Sequence, residues 1–72
     1  MSGLTKRSLS LAGHRTSLAL EPAFWLVLEA LAASRSLSLA GLVAAIDAER
    51  GPQALASACR LAALAFAAER SG

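Results

Sequence analysis

Between residues 15 and 20 the chain reads Arg-Thr-Ser-Leu-Ala-Leu, a strict alternation of side-chain character, and Pro22 comes two positions later. A period of two puts Thr16, Leu18 and Leu20 on one side and Arg15, Ser17 and Ala19 on the other, as in a strand with one buried face. Proline has no N–H for a ladder, and its fixed φ suits the first turn of a helix, so the strand is expected to end near Glu21. A strand also has to be paired. Its N–H and C=O groups need partners, and even a two-stranded hairpin is marginal in water on its own. Residues 1–13 contain Gly3, Gly13 and alternating Ser/Leu, and they read as a basic, partly ordered arm. That leaves one convincing strand, whose natural partner is the same strand of a second copy. Antiparallel pairing about a two-fold axis buries Leu18 and Leu20 of both chains.

Three helices are expected after the strand. The first spans about 22–34, with Phe24, Leu28 and Leu31 at helical spacing and Trp25 and Ala32 widening the stripe. Ser38 is placed to cap the second, where Leu39, Leu42, Val43 and Ile46 lie at i, i+3, i+4 and i+7. The capping box is incomplete, because position 41 is Gly rather than Glu or Gln. Gly51-Pro52 then punctuates the chain, and the third helix is expected over about 52–69. Leu55, Ala58, Ala62, Ala65 and Phe66 form one of its stripes; Leu61, Leu64 and Ala68 form another. A helix apolar on nearly all sides is buried on most of them. The fold class is therefore mainly α with one N-terminal strand. The arm occupies 1–13 and the folded domain 14–72, with Leu18, Leu20, Phe24, Trp25, Leu28, Leu31, Leu42, Ile46 and Phe66 expected in its core and dimer interface.

Composition supports a partner subunit. The chain has 72 residues, 56% hydrophobic and 17% charged. At that size a single core seldom supplies more than about 3–5 kcal/mol without a staple. One cysteine, Cys59, excludes an intrachain disulfide, and one histidine beside it cannot complete a four-ligand zinc site. Cys59 reads as a small core residue. Oligomerisation remains, most simply a homodimer. The longest apolar runs, 39–46 and 61–68, are far short of the roughly 20 residues of a membrane-spanning helix. The basic start lacks a sustained apolar region behind it, so a soluble, cytoplasmic protein is expected. No cofactor or metal is expected.

One heptad, RSLSLAG, occurs at residues 7–13 and again at 35–41. The flanks differ, HRTSLALEP after the first and LVAAIDAER after the second, so there is no larger repeat. The first copy suits an extended chain and the second a turn leading into a helix, because tertiary context overrides weak local propensity. The duplication is read as a coincidence of a Ser-, Leu- and Ala-rich chain.

Charge is distributed unevenly. Residues 1–20 carry Lys6, Arg7 and Arg15 with no acid, whereas residues 21–72 carry four arginines against five acids. A basic segment on a near-neutral body suits a polyanionic partner.

Lys6–Ser8, Gly13–Ser17, Leu20–Glu21, Phe24–Trp25, Ser38–Leu39, Ile46–Asp47 and Leu55–Arg60 follow one another in a pattern across about residues 6–66. In that pattern the chain resembles a short bacterial subgroup of the ribbon-helix-helix proteins. GHRTS with LE and FW after it is its most specific part. The resemblance implies an intertwined homodimer with an intersubunit antiparallel ribbon, carrying here an additional C-terminal helix. It implies binding to double-stranded DNA and a role as a small transcriptional regulator. The ribbon enters the major groove, with Arg15, Ser17 and Ala19 facing the bases. Arg15 is able to read guanine bidentately, Ser17 bonds with little selectivity, and Ala19 offers only a methyl where family members commonly carry a polar residue. Ser38 and the backbone of Leu39 and Ala40, at a helix N-terminus, are expected near a phosphate, with Arg35 close by. Lys6, Arg7 and His14 add phosphate contacts.

An enzyme is not expected: there is no nucleophile elbow, P-loop or dinucleotide fingerprint. The rival reading is a dimeric helical interaction module, which includes an antitoxin-like role. In it the ribbon serves only dimerisation, and a protein partner sits on Leu26 or the third helix. Leu26 belongs to five consecutive large apolar residues that wrap beyond one helix face, and it is expected to be presented to another dimer or to a partner.

Overall fold

A computed structural model of the chain describes residues 3–71. Two strands come first, β1 (Thr5–Leu11) and β2 (His14–Leu20), and three helices complete the chain, α1 (Pro22–Ser34), α2 (Leu39–Glu49) and α3 (Leu55–Ser71). The strands form a two-stranded antiparallel sheet in the register Thr5↔Leu20 through Leu11↔His14. The segment read as an arm is thus a strand, and the partner of the 15–20 strand lies in its own chain. The connection is only Ala12-Gly13, with φ of 51° and 85°. Positive φ at both central residues is what a tight hairpin of right-handed twist demands. Glycine adopts it freely and alanine at a cost, which is why Ala-Gly is a weaker turn signal than Asn-Gly.

Alternation then sorts both strands. On β2, Leu18 and Leu20 are buried and Thr16 is half-buried, while Arg15 and Ser17 are exposed. On β1, Leu11 is buried and Arg7 and Leu9 are half-buried, while Lys6, Ser8 and Ser10 are exposed. The inner face of the hairpin packs on the helices. Leu20, Trp25, Leu28, Leu42, Val43 and Cys59 are enclosed, and Leu18 and Leu31 nearly so. Phe24, Ile46 and Phe66 pack against that core while remaining partly accessible. The expected core residues therefore all take part in it.

The helix boundaries reflect local chemistry. Pro22 opens α1, and the Ser38 hydroxyl accepts the Gly41 N–H at 2.9 Å, capping α2. The third helix begins at Leu55, three residues later than expected. Gly51 takes φ of 61°, and the Gln53 N–H donates to the Arg50 carbonyl, so Pro52 lies in a turn rather than in a first helical turn. The Arg50 guanidinium holds the far side of that turn by donating to the Gln53 carbonyl at 2.6 Å.

Candidate nucleic-acid interface

Directly opposed residues of an antiparallel pair project from the same face of the sheet. The register therefore assembles Lys6 with Ala19, Ser8 with Ser17, and Ser10 with Arg15 on the outer face of the hairpin. Two of the six are basic, three are hydroxyls, and none is acidic. Arg15, Ser17 and Ala19 take the outward positions that the alternation assigns to them. Lys6 joins them across from Ala19, so the one outward residue without a hydrogen-bonding group stands beside a cation.

Sequence reasoning did not reach Ser8 and Ser10. Their signal lies in residues 6–11, Lys-Arg-Ser-Leu-Ser-Leu, which alternate as regularly as 15–20. The Ala-Gly pair sits where a hairpin would turn. Reading the segment as an arm hides a second row of the same face.

Arg7 is placed differently from Lys6. It points to the inner face, where its guanidinium lies 4.7 Å from the centre of the Trp25 ring and donates to Glu29 Oε2 at 2.8 Å. Trp25 Nε1 in turn donates to the Thr5 carbonyl at 2.8 Å. These contacts clamp the start of β1 to α1. A guanidinium stacked and ion-paired in this way holds the ribbon in place and does not share the outer face with Lys6.

A second clamp holds the other strand. Arg60 of α3 donates from Nε and Nη2 to the two carboxylate oxygens of Glu21, at 2.9 and 3.2 Å. Glu21 is the junction between β2 and α1, and its backbone carbonyl accepts the Phe24 and Trp25 N–H groups. The Arg60 guanidinium, together with a backbone hydrogen bond, holds the Glu21 carboxyl below its ordinary range. A bidentate arginine–carboxylate pair fixes direction as well as charge. The orientation of the ribbon on the helices is thereby set at both strands.

Arg35 and Ser38 are exposed, and Leu39 and Ala40 are half-buried. Ser38 satisfies Gly41 and, through its carbonyl, the Leu42 N–H. The N–H groups of Leu39 and Ala40 lie in the first helical turn, where no carbonyl precedes them. His14 is exposed where β2 leaves the turn. Cys59 is buried, and desolvation pushes its thiol up to about 11, so it is poorly suited to nucleophilic or metal chemistry. Among the described residues no cluster of three or more His, Cys, Asp or Glu is placed to hold a metal ion. No single helix among them is long and apolar enough to cross a membrane.

The family model of the ribbon-helix-helix domain matches residues 4–67, nearly the whole chain. That family is a DNA-binding, non-enzymatic fold whose members generally act as dimers. No curated protein and no solved structure matches the chain.

Proposed function

The chain belongs to the ribbon-helix-helix family, and on that premise we propose that it binds double-stranded DNA through the outer face of its hairpin, as a small transcriptional regulator of the bacterial cytoplasm. The observation that carries the reading is the absence of any acid from a six-residue face bearing Lys6 and Arg15. A two-stranded ribbon fits the major groove, about 12 Å wide. Arg15 reads guanine; Ser8, Ser10 and Ser17 bond to base edges or phosphates with little selectivity; Ala19 meets a thymine methyl. Lys6, His14, Arg35, Ser38 and the Leu39 and Ala40 N–H groups contact phosphates and set the position of the ribbon. Arg7 serves by holding β1 against Trp25. Among the described residues each strand has one neighbour, so β2 keeps an open edge there. Antiparallel pairing of that edge with the β2 of a second copy makes the homodimer and sets the two β2 strands, with Arg15, Ser17 and Ala19 of each, side by side as the ribbon that enters the groove, with the β1 strands flanking it.

Binding of mixed-sequence duplex DNA, monitored by fluorescence anisotropy across a salt series, tests this. Log affinity is expected to fall linearly with log salt. Lys6→Ala, which removes a phosphate contact, is expected to weaken binding and to flatten the slope by about 1 for each chain, whereas Arg15→Ala, which removes a base contact, is expected to cost affinity and relax sequence preference with little change of slope. No binding at low salt would sink the reading. In that event the exposed Leu26, Leu61 and Leu64 favour the helical interaction module, in which the ribbon only dimerises and neutralising Lys6 and Arg15 has no effect.

A further inference from the structure

Along α3 the outward positions have a regular spacing. Ala54, just before the helix, and Ser57, Leu61, Leu64, Ala68 and Ser71 within it are all exposed and lie at intervals of 3, 4, 3, 4 and 3, with Ala65, Glu69 and Arg70 exposed beside that row. That is the a/d spacing of a coiled-coil seam, on the side of the helix opposite buried Cys59 and Ala63. The two leucines are 53% and 61% exposed, a poor use of apolar surface in so short a chain. The order of sizes is also palindromic, small-small-large-large-small-small. Reversing the helix about the point between Ala62 and Ala63 sets Leu61 against Leu64, Ser57 against Ala68 and Ala54 against Ser71.

We propose that this face is a homotypic interface, where α3 of one copy packs antiparallel on α3 of a second about a two-fold axis. Self-complementarity of this kind is what an isologous contact requires of one surface, and an unrelated partner places no such demand on it. The seam carries no charge. Arg60 flanks it but is already held by Glu21, and Glu69 and Arg70 lie off the seam. Small residues at both ends let the backbones approach, and antiparallel helices oppose their macrodipoles favourably. The apolar surface continues past Ala67 into a groove of about 300 Å³ between α1 and α3, whose other wall includes Leu26, itself 69% exposed. A seam of one helix pair is smaller than a standard interface of about 1,600 Å². The association is therefore weak and concentration-dependent. It is also separate from ribbon pairing and from DNA binding, so two-fold units joined at their ribbons have a second route to assemble.

Engineered cysteines test the geometry. Ser57→Cys and Ala68→Cys are eleven residues apart, about 16 Å along a helix, too far for a bond within one chain or between equivalent positions of antiparallel helices. Under mild oxidation of the full chain, the double variant is expected to give a covalent dimer and to stop there. An equimolar mixture of the two single variants is expected to cross-link, and each single variant alone is not. Buried Cys59 stays out of the exchange. Cross-linking of the single variants would show a parallel seam, a ladder of larger products a head-to-tail contact, and no cross-linking no contact; each outcome overturns the proposal. Sedimentation gives an independent measure. Leu61→Glu with Leu64→Glu is expected to weaken the highest association step at least tenfold with helicity unchanged, and an unaltered association profile would refute the interface.

Discussion

The same seven residues build two different structures in this molecule. In the first copy Arg7, Leu9 and Leu11 turn inward on a strand, Ser8 and Ser10 turn outward, and Ala12-Gly13 make the hairpin turn at positive φ. In the second copy Arg35 ends α1, Ser36 takes φ of 58°, Ser38 caps α2, and Ala40 and Gly41 are helical. Ser10 is a solvated strand residue, whereas Ser38, its counterpart in the second copy, closes a helix. Gly13 is needed for its backbone freedom, and Gly41 for the room it leaves to the Ser38 hydroxyl. The neighbouring sequence makes the difference. After the first copy comes an alternating run that pairs back on it; after the second comes a helical stripe that packs into the core.

Exchanging residues at equivalent positions is expected to give unequal effects, and the largest concerns the glycines. At Gly13 φ is 85° with nothing near the site of a Cβ, so the cost of a side chain there is purely conformational. Gly13→Val is expected to lose about 2 kcal/mol in chemical denaturation. At Gly41 an added Cβ meets the Ser38 Oγ at 3.1 Å. Gly41→Ala sets that crowding against better helix propensity, and a net change under about 1 kcal/mol is expected. Equal losses at the two sites would mean that the two copies are not held as differently as the structure has them.

Serine comes next. Ser38→Ala removes the bond to Gly41 N–H and is expected to cost about 1 kcal/mol. Ser10→Ala, on the exposed outer face of the ribbon, is expected to stay within about 0.5 kcal/mol in the same titration. The smallest contrast reverses sign. Ala12→Gly relieves a left-handed alanine and is expected to raise stability by about 0.5 kcal/mol, whereas Ala40→Gly loosens a helix and lowers it by about as much. Thermal melts of the two variants side by side measure both.

Much of this fold was legible because local chemistry and tertiary packing agree. Pro22 and the Phe24–Leu28–Leu31 stripe define α1, Ser38 starts α2, and the alternation of 15–20 assigns every residue of that strand to its correct face. The first strand was obscured by its own composition. Ser and Leu in alternation beside glycines have weak strand propensity, and Ala12 gives a weak turn signal, so the strand exists through pairing and burial of Leu9 and Leu11 rather than by local preference. The outer face was legible in its β2 half for the same reason, and its β1 half was hidden with the strand. Arg7 shows a second limit. Charge predicts exposure, but a guanidinium beside a tryptophan and a glutamate has a better use on the inner face, and residues 22 positions apart give no local sign of meeting.

The two-residue turn also has a consequence in time. A hairpin closed between neighbours in sequence forms in about 1–10 μs, long before two chains at ordinary concentrations meet. The strand that faces solvent on one edge is thus already paired on the other when a partner arrives. Closure of the hairpin and any pairing through its open edge are therefore events separated in time.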